Sequence, residues 1–177
     1  QMEADFRIKK YTLTGGCGTT RIRPAAITLS KFNDGTPGEG AIGDYFARIQ
    51  TERRWYDTSP EGQFIVRAFI FRCEDAECIG GTQTPSTPLF VGVVTAEEWF
   101  TLRILWDPSH NAFWVGLNNG PDKPLYYGAS VVTLPAKNPR ADIRMQVNAE
   151  NCLNGATEAD TEIEVREVRT NESAVFP

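Results

Sequence analysis

Eight polar or aromatic side chains stand at alternate positions in runs that are otherwise apolar. They are arginines, amides and one indole: Arg48, Gln50, Arg67, Arg103, Trp114, Arg144, Gln146 and Asn148. Arginine presents a planar fork that matches a carboxylate. If their strands share one concave sheet, these side chains form a ligand-binding groove that suits sugar hydroxyls and carboxylates. The alternative is an ordinary solvated sheet face with Arg–Glu pairs across strands.

Two polar loops offer a second kind of chemistry. Their candidate residues are Trp55, Tyr56 and Asp57 in one loop, and Asn118, Asn119 and Asp122 in the other. Aromatic rings stack on sugar faces, and side-chain oxygens bind Ca²⁺. We favour the alternative in which these residues fold down and cap the domain. The sequence therefore predicts no cofactor and no metal site, with calcium left open.

Catalytic constellations have weak support. His110 is the only histidine and lies in a turn, and no Ser or Cys accompanies it in a recognisable nucleophile elbow. Acid–base chemistry by two carboxylates stays open because Asp and Glu are plentiful, but no pair is singled out. The glycine-rich residues 33–43 lack a lysine after the glycines and precede no predicted helix, which disfavours a phosphate-binding loop.

The four cysteines favour disulfides over a metal site. Cys73 and Cys78 could form half of a zinc site, but no second Cys or His pair exists. We predict a Cys73–Cys78 bridge across a tight loop and, by elimination, a Cys17–Cys152 bridge. Four buried free thiols are the alternative. If the bridges form, the protein is secreted, periplasmic or on the cell surface.

Length and charge limit the function further. The chain has 177 residues and a net charge of −5, which fits one domain with a sizeable core and disfavours nucleic-acid binding. No apolar run has the length of a membrane span, and no signal-peptide core begins the chain, so we expect a mature form or an excised domain without membrane insertion. The domain is predicted over residues 1–170, and residues 171–177 are predicted to be a tail.

Residues 99–120 are predicted to form a central hairpin, which constrains any fold of this chain. Two runs alternate apolar and polar residues, with Phe100, Leu102, Ile104 and Trp106 on one face and Phe113, Val115 and Leu117 on one face. Polar residues 107–111 form the turn between them. A second sheet must cover so many apolar groups, and the same parity puts Trp114 on the opposite, partly exposed face.

The rest of the chain reads as further strands, about nine or ten in all, with no helix longer than one turn. Residues 1–30 are predicted to form two edge-like strands, with a bulge at Lys9-Lys10 and with Pro24 tolerated only at an edge. Parity places Arg48 and Gln50 opposite Tyr45, Ala47 and Ile49. It likewise places Arg144 and Gln146 opposite an apolar face made of Ile143, Met145 and Val147.

The central hairpin resembles the hallmark hairpin of the concanavalin A-like lectin/glucanase sandwiches, a group that includes laminin-G and pentraxin-type domains. The matching features are Trp99, Leu102, Ile104, Asp107 and Asn119-Gly120. The terminal run IEVREVR is also similar to the closing strand of that group. The resemblance implies an all-β jelly-roll sandwich of two antiparallel sheets, one of them concave, and often a glycan ligand.

The chain departs from the enzymes of that group. The E-x-D-x-x-E motif of the retaining glucanases is absent, and Gln146-Val147-Asn148 stands where alginate-lyase-like members have Q-[IV]-H. We therefore predict a non-catalytic extracytoplasmic module that binds a glycan or another extracellular protein. If Arg48 and Arg144 share a sheet, an anionic glycan such as a uronate is favoured. The alternatives are a polysaccharide lyase or hydrolase in the same groove, and an accessory domain without a small ligand.

Overall fold

The computed structural model describes residues 1–31, 44–75, 81–84, 87–128, 141–150 and 157–170. These ranges contain eleven strands, because apolar and polar residues alternate through most of them. The strands are β1 (Met2–Thr14), β2 (Arg21–Lys31), β3 (Tyr45–Arg54), β4 (Gln63–Cys73), β5 (Gly81–Gln83), β6 (Leu89–Thr95), β7 (Trp99–Asp107), β8 (Ala112–Leu117), β9 (Lys123–Tyr126), β10 (Ala141–Asn148) and β11 (Glu158–Thr170).

The strands form two sheets whose pairings are all antiparallel. The five-stranded sheet has the order β11-β1-β7-β8-β9. The six-stranded sheet has the order β10-β2-β3-β4-β5, and β6 also pairs with β4. One hydrophobic core is built from the facing sides of both sheets. The predicted all-β two-sheet sandwich is confirmed, whereas its jelly-roll connectivity stays a prediction.

The central hairpin is β7 and β8, and its phase is as predicted. Phe113 is fully buried, whereas Trp114, on the other side of the sheet, is half-buried. Burying such a side chain contributes about 1.5–3 kcal/mol to folding. Trp106 packs against the core but is only half-buried, because it lies near the end of β7. Tyr126, the last residue of β9, is exposed, whereas Tyr127, the residue after it, is buried.

Two expectations about strand position are wrong. β1 lies between β11 and β7, and β2 lies between β10 and β3, so neither is an edge strand. Pro24 is tolerated inside the sheet because it falls within a register shift between Ile22 and Ala26, where the hydrogen-bond ladder is interrupted. The bulge expected at Lys9-Lys10 is present as a register shift between Ile8 and Lys10.

The expectation that the apolar face of β10 packs on the core is also wrong. Ile143, Met145 and Val147 are exposed. Among the described strands, β2 is the only neighbour of β10, so β10 is the outermost strand of the six-stranded sheet. An outermost strand has neighbouring side chains on one flank only, and parity alone does not reveal this position.

The opposite margin of the sandwich is closed by a lysine. Lys123 on β9 donates hydrogen bonds of 3.1 Å from Nζ to the carbonyl oxygens of Phe90 and Val91 on β6. β9 and β6 are the outermost described strands of their sheets on this side. The lysine therefore joins the two sheets through backbone carbonyl groups of β6.

Several expectations fall on other parts of the chain. The tail at 171–177 and the glycine-rich residues 33–43 lie outside the described residues. Neither Cys17 nor Cys73 is a free thiol. Their predicted partners, Cys78 and Cys152, lie outside the described residues, so both pairings stay predictions. No helix in the described ranges is long and apolar enough to cross a membrane.

Candidate functional site

The six-stranded sheet brings together six of the eight predicted site residues. Arg48 and Gln50 lie on β3, Arg67 on β4, and Arg144, Gln146 and Asn148 on β10. The register makes several of them cross-strand neighbours. Ala26 on β2 stands opposite both Gln50 and Arg144, and Gln50 stands opposite Arg67. Since cross-strand partners point to the same side, these side chains share the face of the sheet that is turned away from the core.

The other two predicted site residues are on the wrong sheet. Arg103 on β7 and Trp114 on β8 belong to the five-stranded sheet, because β7 pairs with β1. Arg103 is also engaged by acids, with Nη2 2.6 Å from Asp122 Oδ1 and Nη1 3.6 Å from Glu3 Oε2. Trp114 Nε1 donates a 3.3 Å hydrogen bond to Asp107. Neither residue can contribute to a groove on the six-stranded sheet.

A cavity of about 560 Å³ opens on that sheet, and we call it the arginine cavity. Its lining combines three guanidinium groups with two amides and a few apolar side chains: Arg23, Ala26, Arg48, Gln50, Ile143, Arg144, Met145 and Gln146. Arg23 Nη1 donates a 2.7 Å hydrogen bond to Gln146 Oε1, which fixes one wall.

Arg48 has no carboxylate within salt-bridge distance among the described residues. Its Nε is 3.4 Å from Thr28 Oγ1, and its guanidinium lies over the rings of Phe71 and Phe46, at 5.3 and 5.8 Å from their centroids. Burial lowers the pKa of Arg48 to about 10, with repulsion by Arg144 and Arg23 as further causes. A bound anion would relieve both effects.

Arg23 connects the arginine cavity to a second group of charges, which we call the Glu52 cluster. It consists of Glu52 and the four arginines around it, Arg21, Arg23, Arg54 and Arg67. Glu52 is only 2% exposed, and its Oε1 lies 2.7 Å from Arg54 Nε and 2.9 Å from Arg67 Nη1. Burial would raise the pKa of Glu52, but hydrogen bonds from Arg54 and Arg23 hold it below its usual value.

The two faces of the protein differ in charge. The arginine cavity and the Glu52 cluster hold six arginines, and the described carboxylates that pair with them are Glu52 and, 3.3 Å from Arg144, Asp142. On the five-stranded sheet, by contrast, each arginine that turns outwards has acidic partners: Arg7, Arg103, Arg166 and Arg169 pair with Glu3, Asp5, Asp122, Glu164 and Glu167. The alternative considered from the sequence, an ordinary solvated sheet face with Arg–Glu pairs, is therefore present on the five-stranded sheet.

The sequence reasoning missed Glu52 and the arginines at 21, 23 and 54. The predicted site residues on this strand stop at Gln50, whereas β3 runs on to Arg54. The signal was present, because Arg48, Gln50, Glu52 and Arg54 continue one alternation. Arg21 and Arg23 likewise stand two positions apart at the start of β2.

The aromatic residues of the loop after β3 do not fold down to cap the domain, contrary to the interpretation favoured from the sequence. The rings of Trp55 and Tyr56 are 43% and 51% exposed rather than packed down. Asp57, by contrast, serves the turn, because its Oδ2 accepts a 2.7 Å hydrogen bond from the backbone N–H of Arg54. In the second loop, Asn118 Oδ1 accepts from the N–H of Thr101 at 2.8 Å. No group of three or more His, Cys, Asp or Glu in the described ranges could hold a metal ion.

The turn after β7 brings together Asp107, Ser109 and His110. Their arrangement is that of a capped turn and not that of a catalytic triad. Asp107 Oδ1 accepts from the N–H groups of Ser109 and His110 at 3.0 and 3.3 Å, which caps a single 3-10 turn. Asp107 Oδ2 and Ser109 Oγ both approach His110 Nδ1, at 2.5 and 3.1 Å. In a triad the serine and the acid contact opposite ring nitrogens.

Neither a family model nor a curated protein matches the chain.

Proposed function

We propose that this protein is a non-catalytic, extracytoplasmic binding module that recognises an acidic glycan in the arginine cavity. The observation that carries the proposal is Arg48, a half-buried guanidinium without a carboxylate partner among the described residues, beside Arg144 and Arg23. A carboxylate or sulfate placed there would receive charge-assisted hydrogen bonds in a partly desolvated site. The predicted disulfides support a location outside the cytoplasm.

The remaining lining favours a glycan over a bare anion. The amides of Gln50 and Gln146 can bond to hydroxyl groups, and Ala26 and Met145 offer apolar surface for the C–H face of a sugar ring. Glu52 supports binding rather than catalysis as the activity of this face. It is buried among four arginines with a lowered pKa, so it holds those arginines in place and is a weak proton acceptor.

Titration calorimetry against polyuronate oligosaccharides and neutral glucan oligosaccharides tests the proposal. We expect the polyuronate to bind, the neutral glucan to bind far more weakly, and the affinity to fall as salt rises. Arg48→Gln and Arg144→Gln should each reduce the affinity about tenfold or more, since a hydrogen bond to a charged group is worth about 1.5–3 kcal/mol.

Arg166→Gln is the matched control. Its side chain is 51% exposed, as is that of Arg144, but it lies on the five-stranded sheet. The same charge is removed in both variants, so a general loss of positive charge would weaken binding equally. Equal effects of Arg144→Gln and Arg166→Gln, or equal binding of neutral and acidic oligosaccharides, would contradict the proposal.

A further inference from the structure

The arginine cavity continues into two exposed aromatic rings through direct contacts. Arg23 lines the cavity and binds Glu52 Oε2 at 3.1 Å. Glu52 Oε1 binds Arg54, and Arg54 Nη1 donates a 2.6 Å hydrogen bond to the hydroxyl of Tyr56. The Tyr56 ring meets the Trp55 ring edge to face, with centroids 5.5 Å apart.

These rings are held in position rather than left loose. The N–H of Trp55 donates a 3.3 Å hydrogen bond to the carbonyl oxygen of Thr20. Gly16 lies so close that a Cβ at this position would be 2.5 Å from the Cβ of Trp55, and Gly16 has a φ of +145°, which other residues rarely adopt. The chain therefore positions an aromatic pair and keeps about half of its surface in solvent.

The distance between the two ends is longer than one sugar ring. Arg48 and Arg54 are six residues apart on one strand, which at about 3.3 Å per residue separates them by about 20 Å. Tyr56 and Trp55 lie beyond Arg54. Guanidinium groups line the whole interval, and the exposed aromatic faces come at its far end.

We infer that the ligand is a linear acidic polysaccharide that runs along β3, with one unit in the arginine cavity and a later unit stacked on Trp55 and Tyr56. This inference rests on the proposed function and extends it from a single acidic sugar to an extended chain. The arginines of the Glu52 cluster would face the carboxylates of the intervening units. Sugar rings stack on exposed aromatic faces without needing a particular charge, so the aromatic end adds affinity only for a ligand long enough to reach it.

The test measures affinity as a function of ligand length. A disaccharide, a tetrasaccharide and a hexasaccharide of polyuronate are titrated into the full chain by calorimetry. We expect affinity to rise with length in the unmodified protein. Trp55→Ala and Tyr56→Ala should each weaken hexasaccharide binding about tenfold while leaving disaccharide binding unchanged. Tyr126→Ala is the matched control, because this ring is 61% exposed but lies on the five-stranded sheet.

A second measurement compares the unmodified protein with the conservative variant Trp55→Phe, which keeps an aromatic ring at this position. The hexasaccharide should protect Trp55 from acrylamide quenching, seen as the difference from Trp55→Phe, and the disaccharide should not. An affinity that does not rise with length, or a rise that survives in both aromatic variants, overturns the extended site but leaves the arginine cavity as a site for short acidic glycans. Failure of the unmodified protein to bind any polyuronate overturns both. Binding of single-stranded DNA as tightly as the hexasaccharide would show a general polyanion surface and would also overturn the inference.

Discussion

Trp106 donates a 2.8 Å hydrogen bond from Nε1 to the hydroxyl of Tyr127. The bond joins the end of β7 to the residue after β9, two strands away in the five-stranded sheet. Burial raises the pKa of Tyr127 above its ordinary value. In the unfolded chain the phenol ionises at about pH 10, so the folded state holds its proton to a higher pH than the unfolded state.

Stability should therefore fall as the pH rises above the unfolded pKa of Tyr127, and Tyr127→Phe should lose this part of the pH dependence. At neutral pH the same substitution should cost about 1 kcal/mol, the net value of one hydrogen bond. Urea unfolding of both proteins between neutral pH and pH 11 measures both effects. Parallel pH profiles for the two proteins would contradict this prediction.

Substitutions in the central hairpin should lower the free energy of unfolding more when the replaced side chain is more deeply buried. Phe113→Ala should cost about 3–5 kcal/mol because Phe113 is fully buried, and Trp106→Ala should fall at or below the lower end of that range because Trp106 is half-buried. Tyr126→Ala, at an exposed ring, should stay within about 0.5 kcal/mol of the unmodified protein. Urea unfolding measures all three, and a Tyr126→Ala cost equal to that of Phe113→Ala would contradict the ranking.

Glu52→Gln should destabilise the protein by about 3 kcal/mol or more, because it leaves four arginines around a group without charge. The lowered pKa of Glu52 has a defined sign. Its contribution is present above the unfolded pKa of about 4.3 and is lost as the pH falls through the lower folded pKa.

Sulfate should recover part of the Glu52→Gln loss, since an anion can bind the solvent-exposed parts of the four arginines. Glu164→Gln is the matched control, because Glu164 also pairs with two basic groups, Arg7 and Lys9, but is 35% exposed. Its cost should be much smaller than that of Glu52→Gln because solvent screens exposed ion pairs, and it should show no specific response to sulfate. Thermal unfolding of both variants with and without sulfate tests this prediction. An equal loss of stability in Glu52→Gln and Glu164→Gln would refute the role of Glu52.

The two predicted disulfides should contribute unequally. The Cys73–Cys78 loop is short and should add little, whereas the Cys17–Cys152 loop closes most of the chain and should be worth roughly 4–5 kcal/mol. Residues next to the second pair already meet: Asn148 Nδ2 donates a 2.8 Å hydrogen bond to Thr19 Oγ1, and the N–H of Thr19 donates a 2.9 Å bond to Glu150 Oε1. Non-reducing peptide mapping checks the pairing, and free thiols at these positions would refute it. Unfolding of Cys17→Ser and Cys73→Ser checks the ranking.

Binding of polyuronate should weaken as the pH rises through about 10, where Arg48 loses its proton. Loss of the proton removes the charge that attracts the ligand. Calorimetry between pH 7 and 11 measures the decline, with Arg48→Gln as the control that lacks this titration. A constant affinity across the range would contradict this prediction.

Strand parity was a dependable guide to which side of a sheet a residue faces. Phe113 and Trp114 separate as predicted, and so do Arg48 and Ile49. Parity depends only on the pleat of the strand, which is a local property. The same local character explains why the bulge after Ile8 could be read from a slip in the alternation.

The sheet to which each strand belongs could not be predicted from the sequence in the same way. Arg103 has the right parity for the groove, but β7 pairs with β1, and nothing within β7 encodes that long-range choice. The exposure of Met145 has the same origin, because an outermost strand differs from an interior one only in its neighbours. Glu52 was missed for another reason: a glutamate among arginines resembles the start of a polar loop until the ladder is seen to continue to Arg54.

The carbonyl oxygens of Phe90 and Val91 lie on β6, which among the described strands pairs with β4 alone. Lys123 already occupies both of them. Strands with unused acceptors serve as templates for edge-to-edge aggregation, and lysine is one of the residues that blunt them. β6 also exposes Phe90 and Val93, the kind of apolar surface that would make such growth favourable. We therefore expect the ammonium group to hinder edge-to-edge growth at the margin where the exposed apolar residues would favour it.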